Sequence, residues 1–221
     1  MNTQDTVYRW VKEHVATLPR NEGVFITEAQ VADATNSSRT PAREALLRLE
    51  AEGLIQIVPK KGAFVPPISD AEVRAVMEAR ALIEERSIRR AGSYVERLAD
   101  HLGSLVEEQL SLLADPIAFI EHDRDFHRAI VTAAGNPVLT DFYESLRDRQ
   151  LRMGLRAIAG TENRAQAVVD EHATIVTALR GENPLEDASQ ALTAHLDVTL
   201  QALRLPDDPP WTLDRRDQDG R

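Results

Sequence analysis

"NSSRTPAREAL", residues 36–46, sets two arginines four positions apart at the start of a helix, directly behind a short polar turn. Ser38 is placed to cap that helix, and Pro41 falls in its first turn, where a missing N–H costs little. The helix is expected to run to Glu52 and to stop at Gly53, the residue type that best tolerates a left-handed helix end. Projected at about 100° per residue, Ala42, Ala45, Leu46 and Leu49 share one face. Thr40 and Arg43 lie on the other, with Arg39 near the boundary at the N-terminal tip. A helix anchored by its apolar side would hold Arg39, Thr40 and Arg43 outward, at the end that enters a DNA major groove. Taken singly, each arginine reads better as a solvated surface side chain, so the surrounding sequence has to decide.

Working outward, Val7, Trp10, Val11, Val15 and Leu18 recur near a helical period, which predicts a helix over residues 4–18. "PRNEGVF" reads as a loop. Thr27 then stands three residues before Gln30, a capping-box pattern that opens a short helix through about Thr35. Beyond Gly53, "LIQIV" and "AFV" alternate like two short strands joined by the turn "PKKG". That hairpin puts Lys60 and Lys61 at its tip, in reach of phosphates. Helix, helix, turn, helix and basic hairpin describe a winged helix-turn-helix over residues 1–66.

The formal net charge of −10 argues against a nucleic-acid partner until its distribution is considered. Residues 1–65 carry eight basic and eight acidic side chains, so the whole acidic excess lies behind them. With no cysteine there is no disulfide framework, thiol nucleophile or cysteine zinc site, which suits a reducing cytoplasm. No stretch reaches the roughly 18 apolar residues of a membrane span. A soluble, cytoplasmic protein is expected.

From residue 69 the pattern is helical throughout, with helices expected at about 69–92, 95–113, 116–134, 137–158, 162–180 and 184–204. Ser69 with Glu72, Asp115 with Pro116, "GNP" at 135–137 and "GENP" at 181–184 punctuate them. This predicts an all-α bundle of about six helices over residues 69–204. The Pro-, Asp- and Arg-rich residues 205–221 have no periodicity and read as a flexible tail.

Histidine placement is the informative feature of the bundle. "DRDFH" puts Asp123 and His127 at i and i+4 of one helix, while His172 and His195 lie mid-helix in the last two. Packed helices could bring all four to one level, a known way of holding a metal. Three imidazoles and one carboxylate suit Zn²⁺, Ni²⁺ or Mn²⁺ better than Ca²⁺. The alternative is a scatter of hydrogen-bonded or solvated histidines. His14, His101 and His122 read as surface residues, and Asp125 and Glu171 as solvated, with an outer role beside the metal open for Glu171.

"SSRTPAREALLRLEAEGLI…KKGAFV" closely resembles the DNA-binding domain of the GntR family of bacterial transcription factors. The resemblance implies that Ser38, Arg39, Thr40 and Arg43 contact an operator and that the Lys61–Gly62 wing approaches the minor groove. The chain departs from the family pattern in "LPRNEGVFIT" and at Ala29, where some members carry a phosphate-contacting arginine. Behind the head, "EARALIEE", "DRDFH", "AAGNPVL", "EHATIVTAL" and "AHL" resemble the FCD ligand-sensing domain of FadR-type members. In its metal-binding branch the residues matching Asp123, His127, His172 and His195 hold a divalent cation. Arg80 matches an arginine that members direct toward the effector, although an i, i+4 surface pair with Glu84 is the competing reading. Arg149 is a second candidate for that task.

The expected protein is a homodimeric, ligand-responsive transcriptional repressor that reads a palindromic operator in double-stranded DNA. It would sense a small carboxylate at a metal site in its rear domain. The alternatives are a metal-dependent enzyme built on the bundle and a regulator sensing an acyl-CoA-type ligand without metal.

Overall fold

A computed structural model of the chain describes residues 3–18, 22–146, 150, 153–154, 157–158 and 163–203. Helix α1 (Thr3–Thr17) buries Val7, Val11 and Val15, spaced by four so that they form one stripe. Helix α2 (Glu28–Ala34) is opened by the capping box: Gln30 N–H donates to Thr27 Oγ1 at 3.2 Å, and Thr27 N–H donates to Gln30 Oε1 at 2.8 Å. Asn36, with φ +49°, turns the chain into α3 (Arg39–Ala51), which buries Ala42, Ala45, Leu46 and Leu49. Ser38 occupies the N-cap in extended backbone, but its side chain makes no capping hydrogen bond.

The wing is a three-stranded antiparallel sheet, not a bare hairpin. Strand β3 (Gly62–Val65) lies between β1 (Val24–Ile26) and β2 (Gln56–Val58), with Val24 opposite Val65 and Gln56 opposite Phe64. The stretch read as the loop "PRNEGVF" thus contributes the start of an edge strand. Three residues carry too little alternation to announce themselves, and their partner lies about forty residues away in sequence. At the wing's tip, Gly62 has φ +107°, and a Cβ there would stand 2.6 Å from the Ile26 carbonyl oxygen. Both the backbone conformation and the close approach require glycine.

Behind the wing stand α4 (Asp70–Arg90), α5 (Val95–Leu110), α6 (Pro116–Ala133), α7 (Pro137–Glu144), α8 (Arg164–Leu179) and α9 (Pro184–Ala202). Three of the expected caps operate: Ser69 accepts from Glu72 N–H, Asp115 from Ala118 N–H, and Asn136 from Val138 and Leu139 N–H, whereas Asn183 ahead of Pro184 makes no side-chain capping hydrogen bond. Five helices close a ring in the order α4, α6, α5, α8, α9, around a core that includes Val73, Leu102, Phe126, Ile130, Ile175 and Leu192.

Two expected helices depart from their anticipated spans. The one anticipated over 137–158 is interrupted after Glu144, where the Ser145 hydroxyl turns back to donate to the Phe142 carbonyl; of the residues described beyond Leu146, 150, 153–154 and 157–158 are helical. The one anticipated from residue 162 starts at Arg164, because Asn163 has φ +60°, which a helix cannot contain. The tail at 205–221 lies outside the described residues.

The head does not stand apart from the bundle. Its core runs on into Ile117, Phe119 and Ile120 of α6, against which α1 packs. At that seam Lys12, only 1% exposed, donates to Glu121 at 2.7 Å and to Tyr8 Oη at 2.8 Å, and pairs with Glu52 at 3.2 Å.

Candidate metal centre and nucleic-acid face

Helix α6 presents Asp123 and His127 one turn apart, α8 presents His172 and α9 presents His195, all toward the middle of the ring. One ligand atom from each of the four lies within 4.8 Å of every other. His127 Nε2 is 3.2 Å from His195 Nε2, His172 Nε2 is 3.6 Å from Asp123 Oδ1, and His127 Nε2 is 4.0 Å from Asp123 Oδ2. The three histidines are buried, and Asp123 is partly buried.

Each imidazole is oriented from behind. His127 Nδ1–H donates to Glu84 Oε2 at 2.7 Å, His172 Nδ1–H to Gln109 Oε1 at 2.8 Å, and His195 Nδ1–H to Glu171 Oε2 at 2.6 Å. An acceptor at every Nδ1 places the proton there and leaves every Nε2 as a bare lone pair aimed at the common point. Two such lone pairs 3.2 Å apart repel, and His172 Nε2 is buried without a partner. A cation between them resolves both conflicts, so the donor set fits a divalent metal. Burial, followed by the neighbouring imidazoles, holds the His172 pKa well below the usual histidine range. Burial also pulls His195 down, against the opposing hydrogen bond to Glu171. Neutral rings are what metal ligation needs. Phe126 stacks on His172 with ring centroids 3.9 Å apart and fixes its plane.

Arg80 is not the surface pair that its spacing also allowed. It is buried, and its Nε donates to Glu84 Oε1 at 2.8 Å. Tyr143 Oη donates to the same oxygen at 2.8 Å. Burial alone would raise the Glu84 pKa, but the Arg80 guanidinium and His127 hold it below the ordinary carboxylate range. Burial and the Glu84 charge push the Tyr143 hydroxyl well above its usual value, so it stays a donor. Arg80, Asp123, Tyr143 and His195 line a cavity of about 30 Å³, room for about two water-sized groups. Arg149 lies outside the described residues.

Glu171 corrects the expectation of a solvated side chain: it receives Arg164 through both of its oxygens and His195 through one. Gln109, Tyr143 and Arg164 were not singled out from the sequence, and Glu84 was named only as a surface partner of Arg80. Two had a signal. Glu84 falls on the same helical stripe as Val73, Val76, Met77 and Ile88, and Gln109 on that of Leu98 and Leu102, so a polar residue there had to be buried. Tyr143 and Arg164 had none.

At the other end of the molecule, Ser38, Arg39, Thr40 and Arg43 are exposed at the start of α3, as are Lys60 and Lys61 on the wing. Arg43 faces Glu28 of α2 at 3.9 Å, a pairing too loose and too exposed to hold it. Lys60 takes a left-handed φ of +65°, and the Lys61 ammonium stands 6.0 Å from the Phe25 ring. Thus the face carries the basic side chains expected of a DNA reader.

Comparison with known proteins agrees with both halves. Residues 3–65 match the profile of bacterial regulatory proteins of the gntR family, and residues 75–198 match the FCD domain. The HTH-type transcriptional repressor RspR of Escherichia coli strain K12 is 28% identical over 204 residues, covering 90% of this chain and 87% of that one. An HTH-type transcriptional regulator from an unstable DNA locus of Streptomyces ambofaciens is 30% identical over 200 residues, covering 86% of this chain and 80% of its own. Among solved structures, E. coli McbR/YncC shares the fold with a TM-score of 0.57 at 22% identity, over 92% of this chain and 98% of that one. The chain therefore belongs to the gntR family of bacterial regulatory proteins, with an FCD domain behind its DNA-binding head, and is a transcriptional regulator and not an enzyme.

Proposed function

We propose that this regulator is a homodimeric repressor that reads a palindromic operator and releases or tightens on it when a small carboxylate binds a metal in the FCD domain. One observation carries the reading: three buried imidazoles turn bare Nε2 atoms toward one point, each held from behind by its own acceptor. Asp123, His127, His172 and His195 would hold the ion, with Zn²⁺, Ni²⁺ and Mn²⁺ the best matches to such donors. When bound, the ion supplies a Lewis-acidic centre with positions left for oxygen ligands. Around it Glu84 is balanced by Arg80 and Glu171 by Arg164. A divalent ion with one carboxylate and three neutral rings then leaves a single net positive charge, which favours an anionic effector. Glu171, the base that the enzyme alternative would use, is committed to His195 and Arg164.

Arg39, Thr40 and Arg43 would read base edges while Ser38, Lys60, Lys61 and Gly62 approach the backbone and the minor groove. Leu82, Val138 and Phe142, exposed on α4 and α7, offer apolar surface for a second copy. Effector binding would change operator affinity by its differential affinity for the two head placements.

Elemental analysis of purified protein, with operator binding followed during a carboxylate titration, tests the reading. About one divalent ion per chain and a carboxylate response lost in His172→Ala and His195→Ala are expected. Full metal and full response in both variants would reduce the four residues to a coincidence of spacing.

A further inference from the structure

We infer that Lys12 couples the four-residue centre to the DNA-binding head: its ammonium ties α1 and α3 to Glu121 of α6, and a divalent ion at the centre tightens that tie. This rests on Asp123, His127, His172 and His195 being a metal site. Lys12 is only 1% exposed, and its ammonium donors have oxygens in reach at Tyr8 Oη (2.8 Å), Glu52 Oε2 (3.2 Å) and Glu121 Oε1 (2.7 Å). Tyr8 and Glu52 belong to the head, Glu121 to the bundle. A buried ammonium that loses Glu121 is left with an unmet donor and less compensating charge, which is costly. Docking of the head therefore depends on where α6 holds Glu121.

The seam is a joint and not a fused core. Ile117, Phe119 and Ile120 of α6 share the head's apolar core, yet beside them a cleft of about 290 Å³ opens between Tyr8, Arg48 and α6. Arg9 and Asp115 face each other there at 3.5 Å. Such a gap lets α1 shift against α6 in a way that close-packed side chains forbid. The same turn of α6 also reaches the centre. Glu121 borders both the cleft and the cavity beside the centre, and Ile120 and Val168 belong at once to the head's core and to the cavity wall. Asp123 stands two residues further along. When Asp123 shares an ion with His172 and His195, α6 is fixed against α8 and α9, and Glu121 with it. Linkage is reciprocal: if the ion favours the docked head, the docked head must favour the ion. Loss of the Lys12 tie should therefore weaken metal binding at a centre to which Lys12 contributes no ligand.

The test is the Zn²⁺ affinity of the full chain, read by competition with a chromophoric chelator, for native protein, Lys12→Met and Glu121→Gln. Hydrogen exchange over α1 is followed in parallel, with and without Zn²⁺. Charge alone predicts opposite signs for the two variants, since losing a cation favours a nearby divalent ion and losing an anion disfavours it. The coupling predicts one sign: both should bind Zn²⁺ about fivefold or more weakly than native protein. In native protein Zn²⁺ should slow exchange across α1, and in Lys12→Met that slowing should disappear. The native-chain exchange decides the matter even where a variant fails to fold. Zn²⁺ binding in Lys12→Met that is tighter than native, or within about twofold of it, would overturn the coupling and leave the metal reading intact. So would α1 exchange in native protein that is indifferent to bound Zn²⁺. Failure of native protein to bind Zn²⁺ would overturn the metal reading itself, and this inference with it.

Discussion

Glu84 is the residue on which the proposed metal centre turns, and Glu84→Gln isolates its part. Three donors converge on the carboxylate: Arg80 Nε and Tyr143 Oη on Oε1, each at 2.8 Å, and His127 Nδ1 on Oε2 at 2.7 Å. Glutamine keeps the volume but has one acceptor oxygen and an NH₂. With its oxygen toward Arg80 and Tyr143, the NH₂ meets His127 Nδ1–H, donor against donor. The ring relieves that conflict by moving its proton to Nε2, which removes the lone pair from the metal point. Outer partners of this kind are worth about 10–100-fold in metal affinity, and that is the expected loss on competition with a chromophoric chelator. The charge is lost as well, leaving Arg80 buried without a counterion, for which about 3–5 kcal/mol of metal-free stability should disappear in urea denaturation. Tyr143→Phe is the control. It removes one hydrogen bond worth about 1 kcal/mol and leaves the His127 partner in place, so metal affinity should stay near native. Metal affinity in Glu84→Gln within threefold of native, alongside the expected stability loss, would show that Glu84 balances Arg80 but does not orient His127.

Acidification tests the buried imidazoles. His172 and His195 are both pulled below the ordinary histidine value, so below about pH 6.5 the unfolded chain takes protons that the folded one refuses, and metal-free stability should fall by up to ~1.4 kcal/mol per pH unit for each; equal stabilities in urea at pH 7.5 and pH 5.5 would contradict that. On the DNA face, Arg43→Ala should cost about 1–3 kcal/mol on the specific operator and much less elsewhere, whereas Lys61→Ala should weaken all sequences and flatten the salt dependence; fluorescence anisotropy across salt concentrations separates the two, and unchanged operator affinity in Arg43→Ala removes α3 from the reading role. At the seam, Lys12→Met keeps the stem but loses the ammonium that joins Tyr8 and Glu52 of the head to Glu121 of α6, and should cost about 1.5–3 kcal/mol in urea denaturation; a loss below about 0.5 kcal/mol would make the bridge incidental. Light scattering should find the full chain a dimer, and a native monomer would sink the palindromic reading of the operator.

The sequence by itself was enough wherever a property is local. The buried face of α3, the outward Arg39 and Arg43, the capping box at Thr27 and the Asp–Pro and Asn–Pro helix starts all follow from spacing within one turn, and the structure reproduces them. Asp123 and His127 belong with that group, since i and i+4 share a face in any helix. What makes a centre of them is not local. His172 and His195 meet Asp123 and His127 only because α8 and α9 close the ring against α6, at a rotation set by the packing of residues such as Leu102, Ile130 and Ile175. The carboxylates behind the rings come from α4 and α8, and the amide from α5. Glu171 shows the difference most plainly: its place in the sequence is that of a solvated glutamate, and only the approach of α9 gives it His195 to hold. Strand β1 is of the same kind, a three-residue segment whose conformation is decided by its partner β3 and not by its own pattern. Side-chain periodicity records which face of an element is buried. Which partner waits on that face is a property of the packed helices and strands, and there the tertiary structure alone decided.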